Sequence, residues 1–272
     1  MTHIGKFMTA VIAAALLMPT DMDARKENDG TGIVAHRGFW NCEEAGFARN
    51  SVAALKCAQE AGFWGSEFDV NMTSDGVLLV YHDSDVEGKK IEKNPHEAFK
   101  YFRLENGEPI PTIDDYLIQG KKHPETMLVY ELKKHSCDEV EDKFVDLTIE
   151  KLKEHDLLDP SKVMFISFSY HMCKRLAEKL PDFTVQYLNG DKKPAKVKAD
   201  KINGIDYHFS LLNINKKWVR AAHSLGMTVN AWTVNKVSDM ERMLDLKVDM
   251  LTTDFPLEAR KLMKENGITE LK

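Results

Sequence analysis

The chain has 272 residues, 43% of them hydrophobic, with a formal net charge of −6 and a pI near 6.0. That length suits one large domain or two small ones, with enough apolar material for a substantial core. There is no long basic run, which argues against nucleic acid as a partner.

The first segment stands apart. MTHIGK carries one lysine, FMTAVIAAALLM follows as a short apolar block, and Pro19 precedes a polar stretch. This is the layout of a signal peptide over residues 1–24, cleaved near Ala24, although Met22 occupies a position where a small residue is usual. The block is too short for a membrane span, and no cysteine follows it to carry a lipid anchor. The expectation is a secreted or periplasmic protein with no stable membrane anchor. Residues 25–31 read as a polar leader into a single catalytic domain, residues 32–272. The cysteines Cys42, Cys57, Cys137 and Cys173 form no CxxC pair, which disfavours a zinc knuckle. Cys42 and Cys57 are the pair that an oxidising compartment would bridge. Free thiols are the expected state.

Strand-like and helix-like patterns then alternate. GIVAHRG (32–38) reads as a strand, and NSVAALKCAQEAG (50–62) as a helix started by Asn50 or Ser51 and closed by Gly62. SEFDVNM is the second strand, with VLLVYHD its extended continuation after a turn at Ser74-Asp75-Gly76. Residues 84–111 break the pattern and read as an insertion. A helix starts just after Pro111, then a strand covers 126–134 and a long amphipathic helix 140–158. Strands KVMFISFS, FTVQYLN, GIDYHFS, MTVNAWTVN and VDMLTTD follow, most with a helix behind them. A lysine-rich stretch after FTVQYLN reads as a solvated loop and short helix. Eight strands in strict alternation imply parallel pairing with crossover helices, and so an α/β fold, a (β/α)₈ TIM barrel with a small insertion after the second strand. A doubly wound sheet is the alternative, but the chain has neither a dinucleotide fingerprint nor a P-loop.

In such a barrel the active site lies at the C-terminal ends of the strands. Those ends are polar here: His36-Arg37-Gly38, Glu67 and Asp69 leading on to His82-Asp83, Glu131-Leu132-Lys133, Ser167-Phe168-Ser169, Trp232 to Asn235, and Asp254. In a strand, residues i and i+2 share a face about 6.5–7 Å apart. Glu67 and Asp69 therefore repel each other unless positive charge lies between them. Three carboxylates, Glu67, Asp69 and Glu131, without histidines at zinc spacing, suit a hard cation, Ca²⁺ or Mg²⁺. His36 and His82 suit acid–base work near neutral pH. Arg37 and Lys133 suit a bound anion. Together these groups describe hydrolysis of a phosphodiester. Each has a bland reading beside the sharp one: charge at the barrel mouth, structural histidines, Lys133 as the partner of Glu131, Trp232 as core, Asn50 as a helix cap.

The ordered set AHRG (35–38), RNS (49–51), SEFDVNMTSDG (66–76), VYHD (80–83), YELK (130–133), ISFS (166–169), AWTVN (231–235) and LTTDFP (251–256) resembles the glycerophosphodiester phosphodiesterase family over about residues 32–263. The resemblance implies a TIM barrel in which Glu67, Asp69 and Glu131 hold one divalent ion. It makes His36 and His82 the acid–base pair, sets Arg37 and Lys133 on the phosphate, and makes Trp232 a wall of the alcohol pocket. The implied reaction releases an alcohol and glycerol 3-phosphate from a small phosphodiester. One position departs: where the family has Pro-Glu-Asn, this chain has Ala48-Arg49-Asn50. A cation there is expected to enter the pocket and favour an anionic head group. Asn50 is counted with it as a substrate-binding candidate.

Three other functions compete. A lipid-cleaving barrel of related type would need an apolar rim, for which the insertion offers only Phe99, Tyr101 and Phe102. A non-catalytic phosphodiester binder has the Arg49 departure as its only support. A zinc amidohydrolase would show a His-x-His pair on the first strand, which His36-Arg37-Gly38 lacks.

Overall fold

Eight of the apolar runs fold as parallel strands that close on themselves. The computed structural model describes residues 30–272. The signal peptide read over residues 1–24, and residues 25–29 of the leader, lie outside the described residues.

The strands are β1 (Gly30–Ala35), β2 (Gly65–Met72), β3 (Leu78–Val80), β4 (Asp85–Val86), β5 (Lys89–Lys90), β6 (Met127–Leu132), β7 (Val163–Ser167), β8 (Val185–Tyr187), β9 (Gly204–His208), β10 (Thr228–Trp232), β11 (Met250–Thr253) and β12 (Thr269–Glu270). Parallel pairing runs from β2 through β6, β7, β8, β9, β10 and β11 to β1, and β1 pairs with β2 to close the barrel. All eight barrel strands fall on the runs expected from the sequence. VLLVYHD is the exception to parallel pairing. Its β3 turns back antiparallel on β2, with Val70 opposite Val80, and so carries His82 over the strand ends.

The helices are α1 (Val52–Glu60), α2 (Ile113–Gly120), α3 (Asp138–Glu154), α4 (Tyr170–Lys179), α5 (Pro194–Ala199), α6 (Phe209–Ile214), α7 (Lys217–Ser224), α8 (Val237–Asp245) and α9 (Pro256–Glu265). Ser51, Thr112 and Ser169 cap three of them, each side chain accepting from a backbone N–H of the first turn. Ser51, not Asn50, starts α1, which releases Asn50 for the site.

Side-chain alternation sorts the core into two layers. On β2, Phe68 and Val70 face outward into the helix layer, where Phe68 packs tilted against Tyr116 and edge-on against Tyr130, with centroids 4.5 and 4.9 Å apart. Inside the barrel lie Val34, Val129, Met164, Ile166, Leu188 and Met250. The segment between β3 and α2 packs a small core from Val86, Ile91, Phe99, Leu104 and Ile110, joined by Leu79 of β3 and by Ala48. Phe99 is thus buried. Of the three aromatic residues considered for a lipid-facing rim, only Tyr101 is fully exposed. No helix of the described residues is long and apolar enough to cross a membrane. All four cysteines are free thiols.

Candidate active site

Glu67 and Asp69 point from β2 to the barrel mouth, and the register sets Glu131 of β6 level with Asp69. All three are buried, and one carboxylate oxygen from each lies within 4.8 Å of the other two. Glu67 Oε2 accepts the Arg37 backbone N–H at 2.8 Å, while Glu67 Oε1 is buried without a hydrogen-bond partner. Lys133 Nζ lies 2.8 Å from Glu131 Oε1 and 3.2 Å from Asp69 Oδ1, and Arg37 Nε lies 3.4 Å from Asp69 Oδ2. Lys133 therefore bridges two of the three carboxylates.

These two cations do not balance the site. Burial, with the charges of Asp69 and Glu131, pushes the Glu67 carboxyl well above its ordinary range. Burial also pushes Glu131 up to about 7, against the pull of Lys133. Asp69 alone is drawn down, to about 2, because Lys133, His82 and Arg37 together outweigh its burial. Three carboxylates so close ionise together only with more positive charge than the protein provides. An orphaned Glu67 oxygen and an all-oxygen donor set fit a hard divalent cation. Glu67, Asp69 and Glu131 would hold it.

The local backbone is shaped around these acids. Arg37 and Asn50 both adopt left-handed conformations, with φ of +56° and +58°, which a non-glycine residue holds only at a cost of roughly 1 kcal/mol or more. The first aims the Arg37 N–H at Glu67. The second lets Asn50 clamp Asp69 twice: Asn50 Nδ2 donates to Asp69 Oδ2 at 2.9 Å, and the Asp69 N–H donates to Asn50 Oδ1 at 3.1 Å. The Asn50 N–H closes the arrangement on the Arg37 carbonyl at 3.0 Å. Gly38 follows because a Cβ there would lie 2.7 Å from Ala54. The His-Arg-Gly run is thus a sharp turn pressed against α1.

His36 leaves the end of β1 with Nδ1 2.8 Å from Asp254 Oδ1 and Nε2 4.0 Å from Glu67 Oε2. Asp254 also accepts from Trp40 Nε1 at 3.1 Å and Asn235 Nδ2 at 2.6 Å. Although burial opposes it, the hydrogen bond and charge of His36, with the Asn235 and Trp40 bonds, hold Asp254 down at about 2. His82 has Nδ1 2.7 Å from Asp83 Oδ1. Burial lowers its pKa below the usual histidine value, helped by Lys133 and Arg37, while Asp69 and the Asp83 bond pull the other way.

A cavity of about 290 Å³ gathers these groups. His36, Arg37, Glu67, Asp69, His82, Glu131 and Lys133 line one part, Ile166, Phe168, Leu188 and Trp232 an apolar part, and Asp206, Thr233 and Thr252 complete the wall. Trp232 donates Nε1 to the Asp206 carbonyl at 2.9 Å and meets Phe168 edge-on. Asn50 and Arg49 are not in this cavity. They line an adjoining one, where Arg49 is exposed and its guanidinium lies 3.9 Å from the centre of the Trp40 ring.

Several polar strand-end and aromatic residues serve the fold and not the cavity. Ser167 and Ser169 serve the backbone: Ser167 Oγ donates to the Leu132 carbonyl, and Ser169 caps α4 and donates to Glu141. His208 caps α6, and Tyr187 bonds Asp191; neither lines the cavity. His135, outside the strand-end motifs, is buried and ties strand ends together: Nε2 accepts from the Met72 N–H, and Nδ1 donates to the Lys133 carbonyl. Three participants carried no assigned role. Trp40 and Asp254 orient His36. Asp206, buried in the cavity wall with Oδ1 unpartnered, is pushed well above the ordinary carboxylate range by burial and Glu131, against its bond from Asn230. An acid between Ile205 and Tyr207 on a barrel strand was the available signal for it.

With this geometry in place, the comparisons with known proteins agree on one family. The glycerophosphoryl diester phosphodiesterase family matches residues 36–258. A glycerophosphodiester phosphodiesterase of Caldanaerobacter subterraneus subsp. tengcongensis is 28% identical over 257 residues, covering 87% of this chain and 99% of that protein. The crystal structure of a glycerophosphodiester phosphodiesterase from Parabacteroides distasonis is similar with a TM-score of 0.85 and 39% identity, covering 88% of this chain and 99% of the other. An Oleispira antarctica phosphodiesterase, solved in complex with its product sn-glycerol-3-phosphate, shares the fold with a TM-score of 0.72 at 22% identity over 86% of this chain and 97% of its own.

Proposed function

This chain belongs to the glycerophosphoryl diester phosphodiesterase family and is a phosphoric diester hydrolase; from that premise we propose a divalent-metal-dependent hydrolysis of glycerophosphodiesters to an alcohol and glycerol 3-phosphate by histidine acid–base catalysis. The observation that carries it is the carboxylate trio bracketed by His36 and His82 in one cavity. When bound, a Ca²⁺ or Mg²⁺ ion would neutralise charge on a non-bridging phosphoryl oxygen.

The protein's own groups supply the rest. Arg37 and Lys133 present cations to the phosphoryl group from the cavity wall. Asp254, ionised, accepts the Nδ1–H of His36 and leaves the Nε2 lone pair to take a proton from the nucleophile, either a water or the glycerol hydroxyl, the latter giving a cyclic phosphate that water then opens to glycerol 3-phosphate. His82 borders both the cavity and the adjoining pocket, whereas His36 borders only the cavity. His82 is therefore assigned to the leaving arm, whose oxygen it protonates, and a lowered pKa makes its protonated form the stronger acid. Trp232 and Phe168 wall the glycerol side, so Trp232, which the resemblance set in the alcohol pocket, is reassigned to the glycerol arm.

Glycerophosphocholine turnover by the protein lacking residues 1–24 tests this. Activity should vanish with EDTA, return with Ca²⁺ or Mg²⁺, and stay absent in Glu67→Gln. Undiminished turnover in EDTA after metal removal is verified would overturn the metal reading. The charged start and apolar block of residues 1–24 also support export with cleavage near Ala24. The intact mass of chain recovered from the periplasm or medium checks it; a full-length chain confined to the cytoplasm is the contrary result.

A further inference from the structure

The adjoining pocket holds about 380 Å³ and shares Arg37 and His82 with the catalytic cavity. A phosphodiester at those two residues has one ester arm in the cavity and the other in this pocket. Two further arginines stand in its wall, brought from distant parts of the chain: Arg49 from the loop before α1, and Arg103 from the insertion.

Both guanidinium groups are held. The Arg49 plane rests on the Trp40 ring, 3.9 Å from its centre, and Arg103 donates Nη1 to the carbonyls of Lys100 and Phe102 at 2.8 and 2.7 Å. Among the described residues, neither pairs with a carboxylate, whereas Arg37 and Lys133 both do. Two acids share the wall: Asp83 is bonded to His82, and Glu105 is exposed. Counted with Arg37, which Asp69 already engages, the wall holds three arginines against two acids, so it carries no excess of negative charge before a substrate arrives. Tyr81 and Phe102, packed edge-on with centroids 5.8 Å apart, form its apolar side.

We propose that this outer pocket is a subsite for an anionic substituent on the leaving arm, with Arg49 and Arg103 as its ligands, so that the preferred diesters carry a phosphate there. The planar guanidinium fork matches phosphate oxygens in pairs, and a group already seated on an aromatic face loses little freedom on binding. The proposal rests on the phosphodiesterase reading above and narrows its substrate class.

A matched pair of probes separates the two. With metal present, kcat/KM is measured on glycerophosphoinositol and on glycerophosphoinositol 4-phosphate. The 4-phosphate should be preferred about 10-fold, a contribution expected of charge-assisted bonds to an anion. The preference should fall toward one in R49Q/R103Q, with each single variant between. A wild-type ratio of one or below, or a ratio unchanged in the double variant, overturns the subsite while leaving the hydrolase reading intact. If neither probe is cleaved, the hydrolase reading fails on these diesters, and calorimetry decides the subsite. Tighter binding of the 4-phosphate that is lost in the double variant supports it, and equal binding of both probes overturns it.

Discussion

His36 and His82 line the same cavity but are held in different ways. His36 stands at the end of a barrel strand, its side chain 18% exposed, on a carboxylate 218 positions away in sequence that Trp40 and Asn235 also engage. His82 stands after the antiparallel return of β3, its side chain 40% exposed, on the carboxylate of the very next residue, itself 67% exposed. A ring held by a half-buried, multiply bonded partner has one orientation before substrate arrives. A ring held by an exposed neighbour can follow the arm that it must protonate. The fixed group suits a proton acceptor whose direction of attack must be set in advance, the mobile one a donor that tracks a variable alcohol.

Substitutions at the four residues of these two pairs break or sharpen that contrast. The largest effect belongs to His36→Ala, which should lower kcat on glycerophosphocholine by about 10³-fold and lower turnover of bis(p-nitrophenyl) phosphate by a similar factor, since both need an activated nucleophile. His82→Ala should match that loss on glycerophosphocholine yet cost only about 10-fold on the nitrophenyl ester, whose leaving group departs without a proton. Steady-state rates on the two substrates decide it, and equal losses for His82→Ala would remove its assignment as the acid.

Asp254→Asn comes next, with kcat down by about 10- to 100-fold because His36 loses its anionic partner. The variant should also melt lower than the wild type at neutral pH. Asp254 is held near 2 in the folded protein against an ordinary 3.8, so its contribution is whole above about pH 4 and fades as pH falls toward 2. Melting temperatures of the two proteins should therefore converge over that window.

Asp83→Asn should cost least, a few-fold in kcat. The Asp83 bond raises the pKa of His82, so its loss should move the limb of the kcat/KM profile that belongs to His82 to lower pH. A limb that stays in place would show that Asp83 does not set the proton affinity of His82.

These pairs also mark how far the sequence could be read. His82-Asp83 is a local pair, visible as a dipeptide. The partnership of His36 with Asp254 was not visible, although both residues stood out as polar strand ends, because only closure of the barrel between β11 and β1 brings them together. Asn50 was ambiguous for a related reason. Its neighbour Ser51 caps α1 equally well by propensity, and only the left-handed turn at Asn50 sends its amide to Asp69. The Ser167 and Ser169 hydroxyls misled, because a strand-end hydroxyl aimed into the site and one satisfying the backbone look the same in one dimension.

Hydrophobic periodicity, cap residues and the i, i+2 acids of GSEFDVNM determined by themselves the eight strands, their alternation with helices and the ends on which chemistry would gather. Those signals are local, set by backbone geometry over a few residues. Tertiary structure alone decided which acid orients which histidine, which cations are already paired with carboxylates, and that Arg49 and Arg103 share one pocket. Those facts depend on distances between segments far apart in the chain, and on the charge balance of a buried volume that exists only once the barrel has closed.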